Sequence, residues 1–233
     1  MNIVILAGGF GTRISEYTKN IPKPMIKIKG KPIIEHIINH YKSFGFKKFF
    51  IAGGYKYKII ENYFKKKKVK NVDIKIINTG LNTMTGGRLK KLQKFLNNKA
   101  FMLTYGDGLS DINLHKLLSF HKNKKGIATL TAVRPPARFG VIKINEKNRV
   151  TLFREKSSLD EGWINGGFFV FEPEIFKYLK NDQTFLERTP LIKLSSINKL
   201  FAYKHKNFWQ CVDTVRDKEI LEKKLKEKIE KKN

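Results

Sequence analysis

Asn2-Ile-Val-Ile-Leu-Ala7 runs straight into Gly8-Gly-Phe-Gly-Thr-Arg13. An unbroken apolar run rich in β-branched residues, with no polar alternate, predicts a strand of a parallel sheet buried on both faces. The glycines that follow predict a turn, and the residues beyond them a helix, so the chain opens on a strand-loop-helix unit. The run is short and has no basic residues ahead of it, so a secretory signal is not expected here.

The same alternation continues outward. Pro32 opens a helical pattern carried by Ile33, Ile34, Ile37, Ile38 and Tyr41 and ending near Gly45. A strand is expected over Lys48–Ala52, a helix over Lys56–Lys66, a strand over Val72–Ile77, a helix over Gly87–Leu96 and a strand over Ala100–Tyr105. Leu114–His121 reads as helix and Gly126–Val133 as strand. Strands alternating with helices imply an α/β fold, a Rossmann-like, mainly parallel sheet with helices on both faces. Beyond Pro135-Pro136 the texture changes to shorter strands, Gly140–Ile144, Val150–Glu155 and Trp163–Phe171, which suggests a small β-rich lobe. The chain ends on a helix striped by Ile220, Leu221, Leu225 and Ile229. One domain over 1–233 is expected, with parts at 1–133, 134–213 and 214–233, because no polar linker separates them.

A net charge of +28, from 48 Lys+Arg against 20 Asp+Glu, invites a nucleic-acid reading. The lysines are spread over the whole length, however, and do not gather around interleaved aromatics. Most are assigned to solvated surface, and neither nucleic acid nor membrane is expected as a partner. No run approaches the roughly 20 apolar residues of a membrane span. The single cysteine, Cys211, excludes an internal disulfide and fits a reducing cytoplasm.

Three constellations carry candidate chemistry. Glycines 8, 9 and 11 let backbone amides approach phosphates, yet the sequence is neither a Walker loop nor a dinucleotide fingerprint, and a purely conformational role stays open. Lys23 lies between two prolines on a backbone expected to be stiff and extended, and with Arg13 it is suited to neutralising a triphosphate; an ordinary loop lysine is the alternative. Asp107, in Thr104-Tyr-Gly-Asp-Gly108, ends an apolar strand where a hard cation would be wanted, unless it serves only the turn. Asp213, after Phe208-Trp-Gln-Cys-Val212, is either its partner at a magnesium site or a helix N-cap. Cys211 has no histidine or cysteine partner and is read as packing.

Taken together, Leu6–Arg13 and Lys23-Pro-Met25 resemble the amino-terminal signature of the sugar-nucleotide pyrophosphorylases. Met84-Thr-Gly-Gly-Arg-Leu-Lys90, Thr104–Gly108, Pro135-Pro-Ala-Arg-Phe-Gly140, Ile164-Asn-Gly-Gly-Phe-Phe169 and Phe208-Trp-Gln210 are similar to the cytidylyl-transferring branch. The resemblance spans residue 3 to about residue 218 in order. It implies a GT-A-like nucleotidyltransferase fold in which residues 134–213 receive the sugar phosphate. It also implies that Leu6, Ala7, Gly8, Gly9, Phe10, Gly11, Thr12, Arg13 and Lys23 bind the triphosphate, with Thr83, Thr85, Arg88 and Gly106 beside the nucleoside. Glu155, Lys156, Asn165 and Gly166 would receive the sugar 1-phosphate, and Asp107 and Asp213 would hold Mg2+. Three departures stand out: a shorter segment between Phe64 and Asn78, and Ser157 and Cys211 where proline is usual.

The activity so implied is transfer of a cytidylyl group from CTP to glucose 1-phosphate, with Arg13, Lys23, Asp107 and Asp213 as the catalytic set. It would be carried out by a cytoplasmic homo-oligomer supplying CDP-glucose for surface polysaccharides such as lipopolysaccharide O-antigen. Transfer from dTTP, UTP or GTP, and a non-catalytic sensor of nucleotide sugars, are the alternatives.

Overall fold

The computed structural model describes residues 1–96, 98–135, 140–155 and 162–230, the side chains of 228–230 excepted. The opening run is β1 (Asn2–Ala7); where a helix was expected after the glycines, a 3-10 turn at Thr12–Ile14 and the one-turn α1 (Ser15–Thr18) follow. Lys27–Ile28 (β2) and Lys31–Pro32 (β3) form a small hairpin whose loop residues, Lys29 and Gly30, both have positive φ, as a two-residue hairpin turn requires. Next come α2 (Ile33–Ser43), β4 (Lys48–Gly53), α3 (Tyr57–Lys66), β5 (Asp73–Asn78), α4 (Thr85–Lys91), β6 (Phe101–Tyr105), β7 (Gly108–Ser110), α5 (Leu114–Lys124) and β8 (Ala128–Val133). Then follow β9 (Val141–Ile144), β10 (Val150–Arg154), β11 (Ile164–Phe171), α6 (Thr189–Ser196), β12 (Leu200–Lys204), β13 (Trp209–Cys211) and α7 (Val215–Glu230).

Seven strands make one sheet in the order β12-β8-β11-β6-β1-β4-β5. β1 is parallel to β4 and β6, β4 to β5, and β12 to β8; β11 runs against both its neighbours, β6 and β8. Alternate side chains of each strand feed opposite cores. Ile3, Ile5 and Ala7 pack with residues of α2, α3, α5 and α7, while Val4 and Leu6 pack with α4 and α6. Water reaches neither face of β1, which is why its sequence shows no polar alternate.

The carboxyl-terminal third departs from the sequence reading. Ile164–Phe171 is β11 of the main sheet rather than part of a lobe; it carries a register shift against β8 between Asn165 and Phe169. The β9–β10 hairpin stands outside the sheet, as does β13, which pairs antiparallel with β7. α6 and β12 arise from a segment with no clear periodicity. α4 begins at Thr85, ahead of the expected Gly87, and gives way to a 3-10 turn at Gln93–Phe95.

On one face α2 and α3 are joined through Glu35, whose buried carboxylate accepts hydrogen bonds from the Tyr63 hydroxyl and, at 2.9 and 3.0 Å, from Lys67 Nζ. Burial alone would raise this carboxyl, but the Tyr63 and Lys67 hydrogen bonds and the Lys67 charge outweigh it and hold it below 4.5. The folded-state value is the lower one, so the stabilisation is complete above the unfolded value and drains away as pH falls through the folded value. Glu35→Gln is therefore expected to melt earlier than the parent near neutrality, and to lose less on acidification to about pH 3, in thermal unfolding followed by circular dichroism.

Candidate active site

β1 and β6 lie side by side, and the chain leaves them in opposite directions across the sheet. A crevice therefore opens beyond their carboxyl ends, where open α/β sheets receive ligands. The loops that line it are Gly8–Arg13 from β1 and Gly106-Asp107 from β6, stitched together by the Gly106 amide donating to the Leu6 carbonyl at 2.9 Å. Because only a 3-10 turn follows Gly11, a helix dipole contributes little here; the loop amides themselves are the donors.

Arg88 is the brace that shapes this loop. Its side chain is buried, and its guanidinium donates to the carbonyls of Gly8 (2.9 Å), Gly53 (3.2 Å), Gly80 (2.7 Å) and Leu81 (3.2 Å) and to the Thr79 hydroxyl (2.7 Å). Three strand-end loops are thereby tied to one cation, whose own proton affinity is lowered by burial. A Cβ at Gly8 would fall 2.2 Å from Arg88 Nη1, and one at Gly54 2.3 Å from the same atom, so both glycines make room for the guanidinium. Expected beside the base, Arg88 does reach the cavity wall, but both its terminal nitrogens, Nη1 and Nη2, are committed to the protein.

The two carboxylates distant in sequence converge. Lys23 Nζ donates to Asp107 Oδ2 and to Asp213 Oδ1, both at 2.6 Å, while Arg13 Nη1 donates to Asp213 Oδ2 at 2.8 Å. Lys23 is buried and opens a 3-10 turn, Lys23–Met25, instead of the extended stretch its flanking prolines suggested. Burial would lower its ammonium, but the charges and hydrogen bonds of Asp107 and Asp213 outweigh this and hold it above its ordinary 10.5. Asp213 is not the N-cap of α7. That place is taken by Thr214, in a reciprocal box where Asp217 Oδ2 accepts from the Thr214 amide at 2.9 Å and Thr214 Oγ1 accepts from the Asp217 amide at 3.2 Å. Asp217 Oδ2 also accepts from the Asp213 amide at 3.1 Å, which fixes the backbone and leaves the Asp213 carboxylate for the cations. The Val212 amide donates to the Asp107 carbonyl at 2.9 Å and locks the two acidic segments in register.

This geometry suits a hard divalent ion. Oxygens of two carboxylates face one positive point, and among the described residues no cluster of three His, Cys, Asp or Glu side chains competes for it. Magnesium characteristically takes one or two carboxylates and fills its remaining positions with water and substrate phosphate. The Cys211 thiol, 3.9 Å from Asp213 Oδ2, is pushed up to about 12 by burial and by Asp213, Asp107 and Asp217, so it stays protonated.

Two cavities meet at Arg13, Tyr105 and Asp107. The larger, about 420 Å³, is lined by every residue expected to bind nucleotide: Leu6–Arg13, Lys23, Thr83, Thr85, Arg88 and Gly106. Pro24, Leu81, Met84, Phe185 and Glu187 line it as well, and of these Pro24 and Met84 lay within motifs singled out in the sequence. The smaller, about 230 Å³, takes in Asn165, Gly166, Trp209 and Asp213. Its floor is held by Trp209 Nε1 donating to the Gly166 carbonyl at 2.8 Å and by the Gly167 amide donating to Asn165 Oδ1 at 2.9 Å. Gly167 sits at φ +75°, and a Cβ there would strike the Tyr105 ring at 2.6 Å. Glu155 lines neither cavity, and Lys156 lies outside the described residues.

The profile of the nucleotidyl transferase family matches residues 2–217. The chain belongs to the nucleotidyl transferase family. It is 41% identical to the glucose-1-phosphate cytidylyltransferase of Salmonella typhi over 95% of each chain. It is 37% identical to the D-glycero-alpha-D-manno-heptose 1-phosphate guanylyltransferase of Campylobacter jejuni over 76% of this chain and 78% of that one. In fold it is similar to a solved UDP-glucose pyrophosphorylase complexed with UDP-glucose, with a TM-score of 0.73 at 19% identity over 97% and 98% of the two chains. This nucleotidyl transferase thus keeps the GT-A-like sheet, mainly parallel with one reversed strand, and sets its acidic residues at the carboxyl edge.

Proposed function

We propose that this nucleotidyl transferase moves the cytidylyl group of CTP onto α-D-glucose 1-phosphate, giving CDP-glucose and pyrophosphate. The observation that carries the reading is the junction of the two cavities at Arg13, Tyr105 and Asp107, beside Lys23 and Asp213. One cavity, floored by glycine amides, fits the triphosphate; the other, floored by Asn165 and Gly166, fits the hexose phosphate. The choice of cytosine and glucose follows the 41% identity to the Salmonella enzyme.

In this reading a phosphate oxygen of glucose 1-phosphate bonds to the α-phosphorus of CTP in line with the bridging oxygen to the β-phosphate. That second bond breaks, and its electron pair leaves with pyrophosphate. The attacking phosphate is already ionised near neutrality, so no general base is required. Lys23 sets its charge between the two reactants, while Arg13, 73% exposed, stands at the mouth where it can follow the departing pyrophosphate. Asp107 and Asp213 would hold Mg2+, which supplies the positive charge that two approaching anions need. The loops supply alignment, and alignment with charge neutralisation is the whole of the catalysis.

The partners in this reading are the two small substrates and further copies of the same chain, in the cytoplasm. Among the described residues no helix is long and apolar enough to cross a membrane. A second reading, guanylyl transfer onto another sugar 1-phosphate, is favoured by the Campylobacter relative. Purified chain given CTP, dTTP, UTP or GTP singly with glucose 1-phosphate separates the two. We expect pyrophosphate release with CTP at least about tenfold above the others, and its loss on adding a chelator. A response to GTP alone would replace the first reading by the second.

A further inference from the structure

Glu187 has no place in the chemistry above, yet it projects into the nucleotide cavity on the loop that leads to α6. Its Oε2 accepts from Thr85 Oγ1 at 2.6 Å and its Oε1 accepts from the Tyr105 hydroxyl. Both neighbours are themselves held. Thr85 Oγ1 accepts from the Leu186 amide at 2.9 Å, and the Tyr105 hydroxyl accepts from Asn165 Nδ2 at 3.3 Å across the junction of the cavities. The Tyr105 hydroxyl thus donates to the carboxylate while it accepts from Asn165.

The oddity is electrostatic. Asp107 and Asp213 face Lys23 and Arg13, whereas Glu187 forms no ion pair among the described residues. An unpaired carboxylate in a cleft built for a polyanion repels phosphate at short range by an amount that matters even when solvent screens it. The phosphates therefore belong at the glycine-loop end, beside Arg13 and Lys23, and what faces Glu187 must be an uncharged donor. Each of its oxygens has given one of about two acceptor positions to a protein hydroxyl and keeps the other. Two adjacent oxygens held in a fixed plane match a pair of neighbouring hydroxyls, the recognition a carboxylate gives a ribose in dinucleotide sites.

We propose that Glu187 is a specificity-determining residue that accepts hydrogen bonds from a vicinal hydroxyl pair of a bound substrate, on the ribose of the nucleotide or on the hexose. The proposal rests on the transferase reading. Thr85 and Tyr105 are its positioning residues, and Tyr105 carries the same network on to Asn165.

The test is a set of cycles between enzyme and substrate. Parent, Glu187→Gln and Tyr105→Phe are assayed by pyrophosphate release with CTP against 2′-deoxy- and 3′-deoxy-CTP. The assays are repeated with glucose 1-phosphate against its 2-deoxy and 3-deoxy analogues. With the natural pair, Glu187→Gln is expected to lower kcat/KM about thirtyfold, the worth of a hydrogen bond to a charged group. With the analogue lacking the hydroxyl that Glu187 reads, the same substitution should cost less than about threefold, since the interaction is already gone. Which arm shows this tells ribose from hexose. Tyr105→Phe keeps the carboxylate; it should cost less and still respond to deletion of that hydroxyl, which protects the test if the glutamine variant folds poorly. Losses that simply multiply in both arms, or a Glu187→Gln enzyme within about twofold of the parent, overturn the proposal and leave the transferase reading intact. A parent silent with every triphosphate overturns both.

Discussion

Asp107→Asn is expected to lower turnover about a thousandfold with the fold unchanged, because the removed charge borders both cavities, Lys23 and the cation position. An amide keeps the size and one acceptor of the carboxylate, so packing at the Gly106–Gly108 turn should survive. What it cannot do is balance Lys23, which then rests on Asp213 alone, or hold a divalent ion with comparable strength. The loss should appear in kcat more than in the KM for CTP, since the glycine loop and Arg13 remain to bind phosphates. Steady-state pyrophosphate release, with near-ultraviolet circular dichroism as the fold control, reads both. A variant that turns over within about tenfold of the parent would remove Asp107 from the chemistry.

The second large effect is on stability. Arg88→Leu should cost roughly 4 kcal/mol or more, because it strips the donor from four carbonyls and one hydroxyl in a buried junction that water cannot readily enter. The affected loops are those of Gly8, Gly53 and Gly80, so nucleotide binding should fail along with stability. Chemical denaturation gives the free energy. The same site offers an internal control. Gly8→Ala drives a methyl to 2.2 Å from the guanidinium and should be severely destabilising alone. In the Arg88→Leu background the clash is with a smaller, neutral side chain, so the two costs should add to less than their sum. Strict additivity would mean that Gly8 is constrained by something other than Arg88.

How far the sequence spoke depended on whether a residue's role was local. β1, β4 and β6 were legible from short unbroken apolar runs, and α2, α3, β5 and α5 from the spacing of their apolar positions. The reversed strand β11 was legible as a strand but not as a member of the main sheet, since a strand buried on both faces reads alike in either direction. α6 and β12 were missed: α6 is only eight residues long and opens on Thr189-Pro190, and β12 is a half-exposed edge. Within the site, the glycine loop, Lys23 and both aspartates were marked by their motifs, and the structure brings them together. The role of Arg88 as a brace was hidden, because four of its five partners are backbone carbonyls, two of them, Gly53 and Gly8, 35 and 80 residues away. The Thr214–Asp217 box was readable as a threonine followed three residues later by an acid, and it would have freed Asp213 from the capping role at once. Glu187 had no such signal; only folding carries it beside Tyr105, 82 residues away.

The central claim is that the joined cavities make one nucleotide sugar from CTP and glucose 1-phosphate. It is met most directly by competition in a single vessel: equimolar CTP, dTTP, UTP and GTP with glucose 1-phosphate, Mg2+ and the purified chain, the sugar nucleotides being weighed by mass spectrometry at low conversion. CDP-glucose should dominate the products and vanish from the same mixture made with Asp107→Asn. A mixture dominated by another nucleoside diphosphate glucose, or an undiminished yield from the variant, would contradict the account.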